Sequence, residues 1–84
     1  QPNSPMNNYR MMLKSSIISV NFAMNDVVVK CYSGTAPAAA AAIDSMDISE
    51  IIGTVSGDDT ILIIASSEKD AEKLSHFFRD FIDK

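Results

Sequence analysis

Ile51-Ile52-Gly53-Thr54-Val55-Ser56-Gly57-Asp58-Asp59-Thr60-Ile61-Leu62-Ile63-Ile64-Ala65 holds the clearest pattern in the chain. Ile51 to Val55 and Thr60 to Ala65 are short, β-branched runs, and Ser56-Gly57-Asp58-Asp59 between them is turn chemistry. The stretch therefore predicts two strands joined as a hairpin. In the second arm Ile61 and Ile63 point to one side of the sheet, and Leu62 and Ile64 to the other. Both faces of this strand are apolar. Upstream, Ser16 to Phe22 and Val27 to Tyr32 read as a second strand pair around an Asn25-Asp26 turn, and Val27-Val28-Val29 repeats the two-sided apolar pattern.

Two helical segments complete the pattern. Thr35 is positioned to cap a helix that runs through Pro37 and the alanines 38–42 and ends near Met46. Proline is tolerated in a first turn, and alanine has the highest helix propensity. Ser67 opens the last helix with Asp70 at the capping-box position. Its apolar residues Ala71, Leu74, Phe77, Phe78, Phe81 and Ile82 form one stripe at helical spacing. The order β-β-α-β-β-α predicts an α+β fold, a two-layer sandwich of a four-stranded antiparallel sheet and two helices. Residues 1–10, rich in proline and asparagine, read as a disordered lead-in or linker remnant, which leaves 11–84 as one domain.

The chain has 84 residues, so its own core is small. Small folds compensate with disulfides, metals or partner subunits. Cys31 is the one cysteine and His76 the one histidine, so neither an intrachain disulfide nor a zinc cluster is expected. Helices on one side of a sheet that is apolar on both sides leave a face to cover, and subunit association is the expected cover in preference to an edge loop or the N-terminal segment. The net charge of −4 argues against nucleic-acid binding through phosphates by this domain. There is no apolar run of about 18 residues and no basic-plus-apolar leader, so the expected setting is cytoplasmic, without a membrane partner. Gln1 in place of an initiator methionine fits a piece of a longer protein.

The acidic residues are the candidates for binding chemistry. Asp58 and Asp59 sit at a glycine-preceded hairpin turn, where carboxylates serve either as solvated turn residues or as a cation site. Neighbours on extended backbone point to opposite sides, so the pair suits two ligand groups, or ligands of two subunits, better than one shared metal ion. Asp44, with Asp47 and Glu50, lies in the other inter-element loop and matters if folding brings it near Asp58. Catalysis has little support. Ser56 lacks an evident histidine partner, His76 reads as a surface residue of the last helix, and Cys31 as a small buried hydrophobe.

The segment 51–64 closely resembles the signature of the C-terminal domain of bacterial arginine repressors, roughly L/M-G-T-I-A/C-G-D-D-T-I-L-I-I. Thr35-Ala36-Pro37 resembles the T-x-P-G segment of that family. The resemblance covers about residues 14–82. It implies an oligomerisation and L-arginine-sensing domain, a hexamer of two stacked trimers with L-arginine as co-repressor bound between them. Operator DNA would be bound by a separate N-terminal winged helix, absent from this chain. It implies no enzyme activity, no metal and no cofactor beyond the arginine ligand. Carried over, Asp58 and Asp59 match the ligand-binding aspartates, and Thr54 and Ser56 match positions lining the site. Asp44 matches the acidic residue nine before the glycine of Gly53-Thr54. Two departures stand out. The glycine after the proline is Ala38 here, and the glutamine four after it is Ala41, with Pro37 to Asp44 about one helical turn short. The alternative is a structural oligomerisation domain whose arginine site is weakened or lost.

Overall fold

The computed structural model describes residues 5–83. The chain runs α1 (Pro5–Ser16), β1 (Ile17–Ala23), β2 (Asp26–Cys31), α2 (Ala36–Ser45), β3 (Ile51–Ser56), β4 (Thr60–Ala65) and α3 (Glu68–Asp83). The strands form one antiparallel sheet in the order β1-β2-β4-β3. The expected α+β sandwich is therefore present, with one helix more than the sequence reading gave. Of the expected lead-in, Gln1 to Ser4 lie outside the described residues, and from Pro5 the chain is helical. Proline at a helix start loses nothing, because that N–H has no intrahelical acceptor. Half-buried Tyr9 and fully buried Leu13 are four apart, so one face of α1 packs on the core, and Arg10 lies 4.8 Å from the Phe81 ring centre.

Register explains the core. Val29 lies across from Ile61 and Val27 from Ile63, and all four are fully buried beneath the helices. From α3, Ala71, Leu74, Phe78 and Phe81 pack down on them. Full burial of each phenyl ring contributes about 1.5–3 kcal/mol. The Ser67 hydroxyl accepts the Asp70 N–H at 3.1 Å, the cap expected from the sequence. On the opposite face Val28, Leu62 and Val55 form a cross-strand row that stays 36%, 36% and 67% exposed. The two-sided apolar pattern is thus real, and among the described residues its second side stays partly exposed.

Two local expectations are corrected. The β1–β2 turn is Met24-Asn25, one residue earlier than Asn25-Asp26, and Met24 takes φ +54°. Asn25 is fixed from behind, since its carbonyl accepts the Ala65 N–H at 2.9 Å. Thr35 does not cap α2 through its side chain. Its hydroxyl donates instead to the Tyr32 carbonyl at 2.7 Å. Among the described residues no helix is long and apolar enough to cross a membrane.

Candidate functional site

The tip of the β3–β4 hairpin is pinned to the loop that leads into α2. The Asp58 carbonyl accepts N–H bonds from Gly34 (3.1 Å) and Ala36 (3.3 Å), so it takes over the start of α2 that the Thr35 hydroxyl leaves uncapped. The Asp59 carbonyl accepts the Cys31 N–H at 2.7 Å. Gly34 has φ +82°, a conformation that glycine reaches without steric cost. This backbone clamp fixes both carboxylates relative to the rest of the sheet.

Their side chains are held separately. Ser33 Oγ donates to Asp58 Oδ2 at 2.9 Å, and Thr60 Oγ1 donates to Asp59 Oδ1 at 2.9 Å. Each carboxylate is steadied through one oxygen, and among the described residues the other oxygen of each accepts no hydrogen bond. Both side chains are exposed. The pair offers fixed negative charge to a donor-rich cation.

At the far end of α2, Asp44 meets β3. Thr54 Oγ1 donates to Asp44 Oδ1 at 2.8 Å. Thr54 and Ser56 lie across from Ile63 and Ile61, so both face the helix side of the sheet. Asp44 also borders a cleft of about 190 Å³, shared with Asp47, Ile48 and Ile52. The helix runs back along edge strand β3, with Asp58 at its start and Asp44 at its end. Thr54 lies within β3, and Asp58 lies in the turn that follows it. The fold thus joins Asp44 to Thr54 and places Asp58 at the other end of the same seam. Ala41 is exposed one helical turn before Asp44 and presents only a methyl group.

Among the described residues no group of three or more His, Cys, Asp or Glu side chains is arranged to hold a metal ion. His76 is an exposed residue 3.9 Å from Glu72, away from this seam. Cys31 is buried at the end of β2, and burial pushes its thiol pKa up, with the Thr35 hydroxyl opposing and the Asp59 charge reinforcing the shift. The sequence reading missed Ser33 and Lys30, which reach the acidic turn across strands. The left-handed Gly34 was the one local sign that this loop is shaped to approach another backbone.

The sequence comparisons agree with the geometry. The family model described as the arginine repressor, C-terminal domain, matches residues 13–80. The chain belongs to the arginine repressor family. The arginine repressor of Acetivibrio thermocellus is 49% identical over 77 residues, covering 87% of this chain and 50% of the relative. Those of Alkaliphilus oremlandii and Shouchella clausii are 43% and 38% identical, covering 81% and 94% of this chain. The chain spans about half the length of these curated relatives. Arginine repressors are regulators of transcription and not enzymes.

Proposed function

We propose that this domain is the ligand-sensing and oligomerising half of an arginine-dependent transcriptional regulator of arginine metabolism in the cytoplasm. L-arginine binds as co-repressor between trimers of a hexamer, and operator DNA is met by the winged helix of the full-length protein. The observation that carries this reading is the exposed pair Asp58 and Asp59, clamped through the backbone and each keeping one oxygen without a bond. The exposure of Asp58 and Asp59 at the hairpin tip, open to a neighbouring subunit, supports a ligand shared among subunits. Thr54 and Ser56 line the same side of β3 as Asp44.

The local geometry also favours another registration of the family's T-x-P-G segment. Ala38 is inside α2, where no glycine is needed, whereas Gly34 holds the left-handed turn. Placing the segment on Cys31-Tyr32-Ser33-Gly34 shifts it by four residues and restores the helical turn that was short. The glutamine position then falls on Pro37 rather than Ala41, and neither side chain replaces the amide. That loss favours the second reading, a structural oligomerisation domain with little arginine affinity.

Calorimetry with L-arginine and L-lysine separates the two. Carboxylates that grip a planar fork should bind arginine far better than lysine, whose charge is equal but whose ammonium lacks the fork. Equal heats for the two amino acids, or none for either, would remove the arginine site and leave the structural reading.

A further inference from the structure

Resting on the arginine-binding reading, we propose that Lys30 is a positioning residue for that site, holding Asp59 through the Thr60 hydroxyl and coupling it to the apolar face of the sheet.

Lys30 and Thr60 are direct partners in the β2–β4 register, so their side chains share the open face. Lys30 Nζ donates to Thr60 Oγ1 at 3.1 Å, and the same hydroxyl donates to Asp59 Oδ1 at 2.9 Å. A threonine hydroxyl has a single hydrogen. With an ammonium donor occupying a lone pair, that hydrogen is free to turn toward the carboxylate, and each bond polarises the next. Among the described residues the Lys30 ammonium meets no carboxylate directly. Its charge reaches the acidic turn through one hydroxyl. Ser33 plays the simpler role at Asp58, without a cation behind it.

The location adds a second element. The Lys30–Thr60 pair adjoins the exposed row of Val28 and Leu62. Any subunit that covers this row also withdraws water from Lys30. A partly desolvated ammonium depends more on its remaining acceptor, so the chain to Asp59 tightens when the face is covered. Assembly through the apolar row therefore firms one half of the acidic pair before ligand arrives.

The test is arginine calorimetry on the 84-residue chain, with sedimentation and thermal melting on each variant. Lys30→Met keeps the aliphatic stem and removes the donor. It should weaken arginine binding about three- to tenfold, the size expected for one hydrogen bond in a charged network, with assembly and melting unchanged. Lys30→Arg should restore affinity to within about twofold. Thr60→Val should weaken binding comparably and Thr60→Ser should restore it, a rescue that a purely packing role of the threonine methyl would not give. This second pair decides the matter if Lys30→Met misassembles. If Lys30 instead competes with the ligand as a like charge, Lys30→Met will bind arginine more tightly. Tighter or unchanged affinity overturns the proposal while leaving the arginine site standing. A wild-type chain that takes up no arginine overturns both.

Discussion

Asp58→Asn tests the site at an exposed carboxylate, and the structure sets two different magnitudes for it. The substitution keeps an amide oxygen that accepts from Ser33 Oγ, and the backbone carbonyl still accepts from Gly34 and Ala36. Asparagine is also a good turn residue. Fold stability should therefore change by no more than about 0.5 kcal/mol, the usual range for an exposed position. Arginine binding responds according to how dry the site is. In the isolated chain Asp58 is exposed, and a solvated ion pair there contributes about 0.2–1 kcal/mol, at most about fivefold in affinity. If the ligand is enclosed between subunits, removing one charge of a desolvated pair costs roughly 2–5 kcal/mol, about thirtyfold or more. We expect the larger loss, measured by calorimetry with sedimentation confirming the wild-type assembly. An affinity equal to wild type would reject the role of Asp58. A loss below about fivefold would keep the contact but place it in solvent, contradicting a site between trimers.

Arginine should also shift trimers toward hexamers in sedimentation, and at a hundred times the dissociation constant it should add roughly 2.7 kcal/mol of stability per site. An unchanged distribution with arginine bound would move the ligand away from the junction. Phe78→Ala, at a side chain with no exposure, should cost about 3–5 kcal/mol in urea unfolding at fixed protein concentration, and a cost under 1 kcal/mol would contradict the core described above. Cys31 in the folded chain should alkylate slowly at pH 8, because burial raises its pKa above that of a free thiol. The neutral thiol is the favoured native form, so its contribution to stability is full below the unfolded pKa of about 8.5 and declines as pH rises through the higher folded value. Thiol reactivity equal to that of the urea-unfolded chain would refute this.

The hairpin β3–β4 was legible because a two-residue alternation of β-branched side chains and a Gly-Asp-Asp turn agree with each other. The α3 stripe was legible for the same kind of reason, a period matched by a cap. Helix α1 was not, since Pro5 and the asparagines of its first turn outweighed the spacing of Tyr9 and Leu13 that buries one face. The Met24 turn was hidden because methionine has no local preference for φ +54°, and the bond between Asn25 and Ala65 that holds it spans forty residues. Thr35 had the right chemistry for a cap, but the nearby Tyr32 carbonyl took its hydrogen and Asp58 supplied the helix start from the β3–β4 turn. In the candidate site, Asp58, Asp59 and Asp44 stood out by their chemistry, and the family signature added Thr54 and Ser56. Lys30 meets Thr60 through cross-strand register, and Ser33 meets Asp58 from the loop after β2; both depend on how the hairpins pair and not on any run of neighbouring residues.

That same register ties sensing to assembly. Strand β4 lies between β2 and β3, and its alternate residues serve opposite ends of the problem. Ile61 and Ile63 anchor the strand in the core, Leu62 completes the uncovered apolar row, and Thr60 steadies Asp59. A one-residue slip of β4 would bury Leu62, expose the isoleucines and turn Thr60 away from both Lys30 and Asp59. In the observed register, the acidic turn and the exposed Leu62 and Val55 are presented by the same hairpin. In the proposed hexamer, the surface that recruits other subunits and the carboxylates that receive arginine are presented together by one rigid element, so ligand need not unfold or hinge the domain to influence assembly. It has only to neutralise charge at the tip of a hairpin whose flank is already committed to a partner.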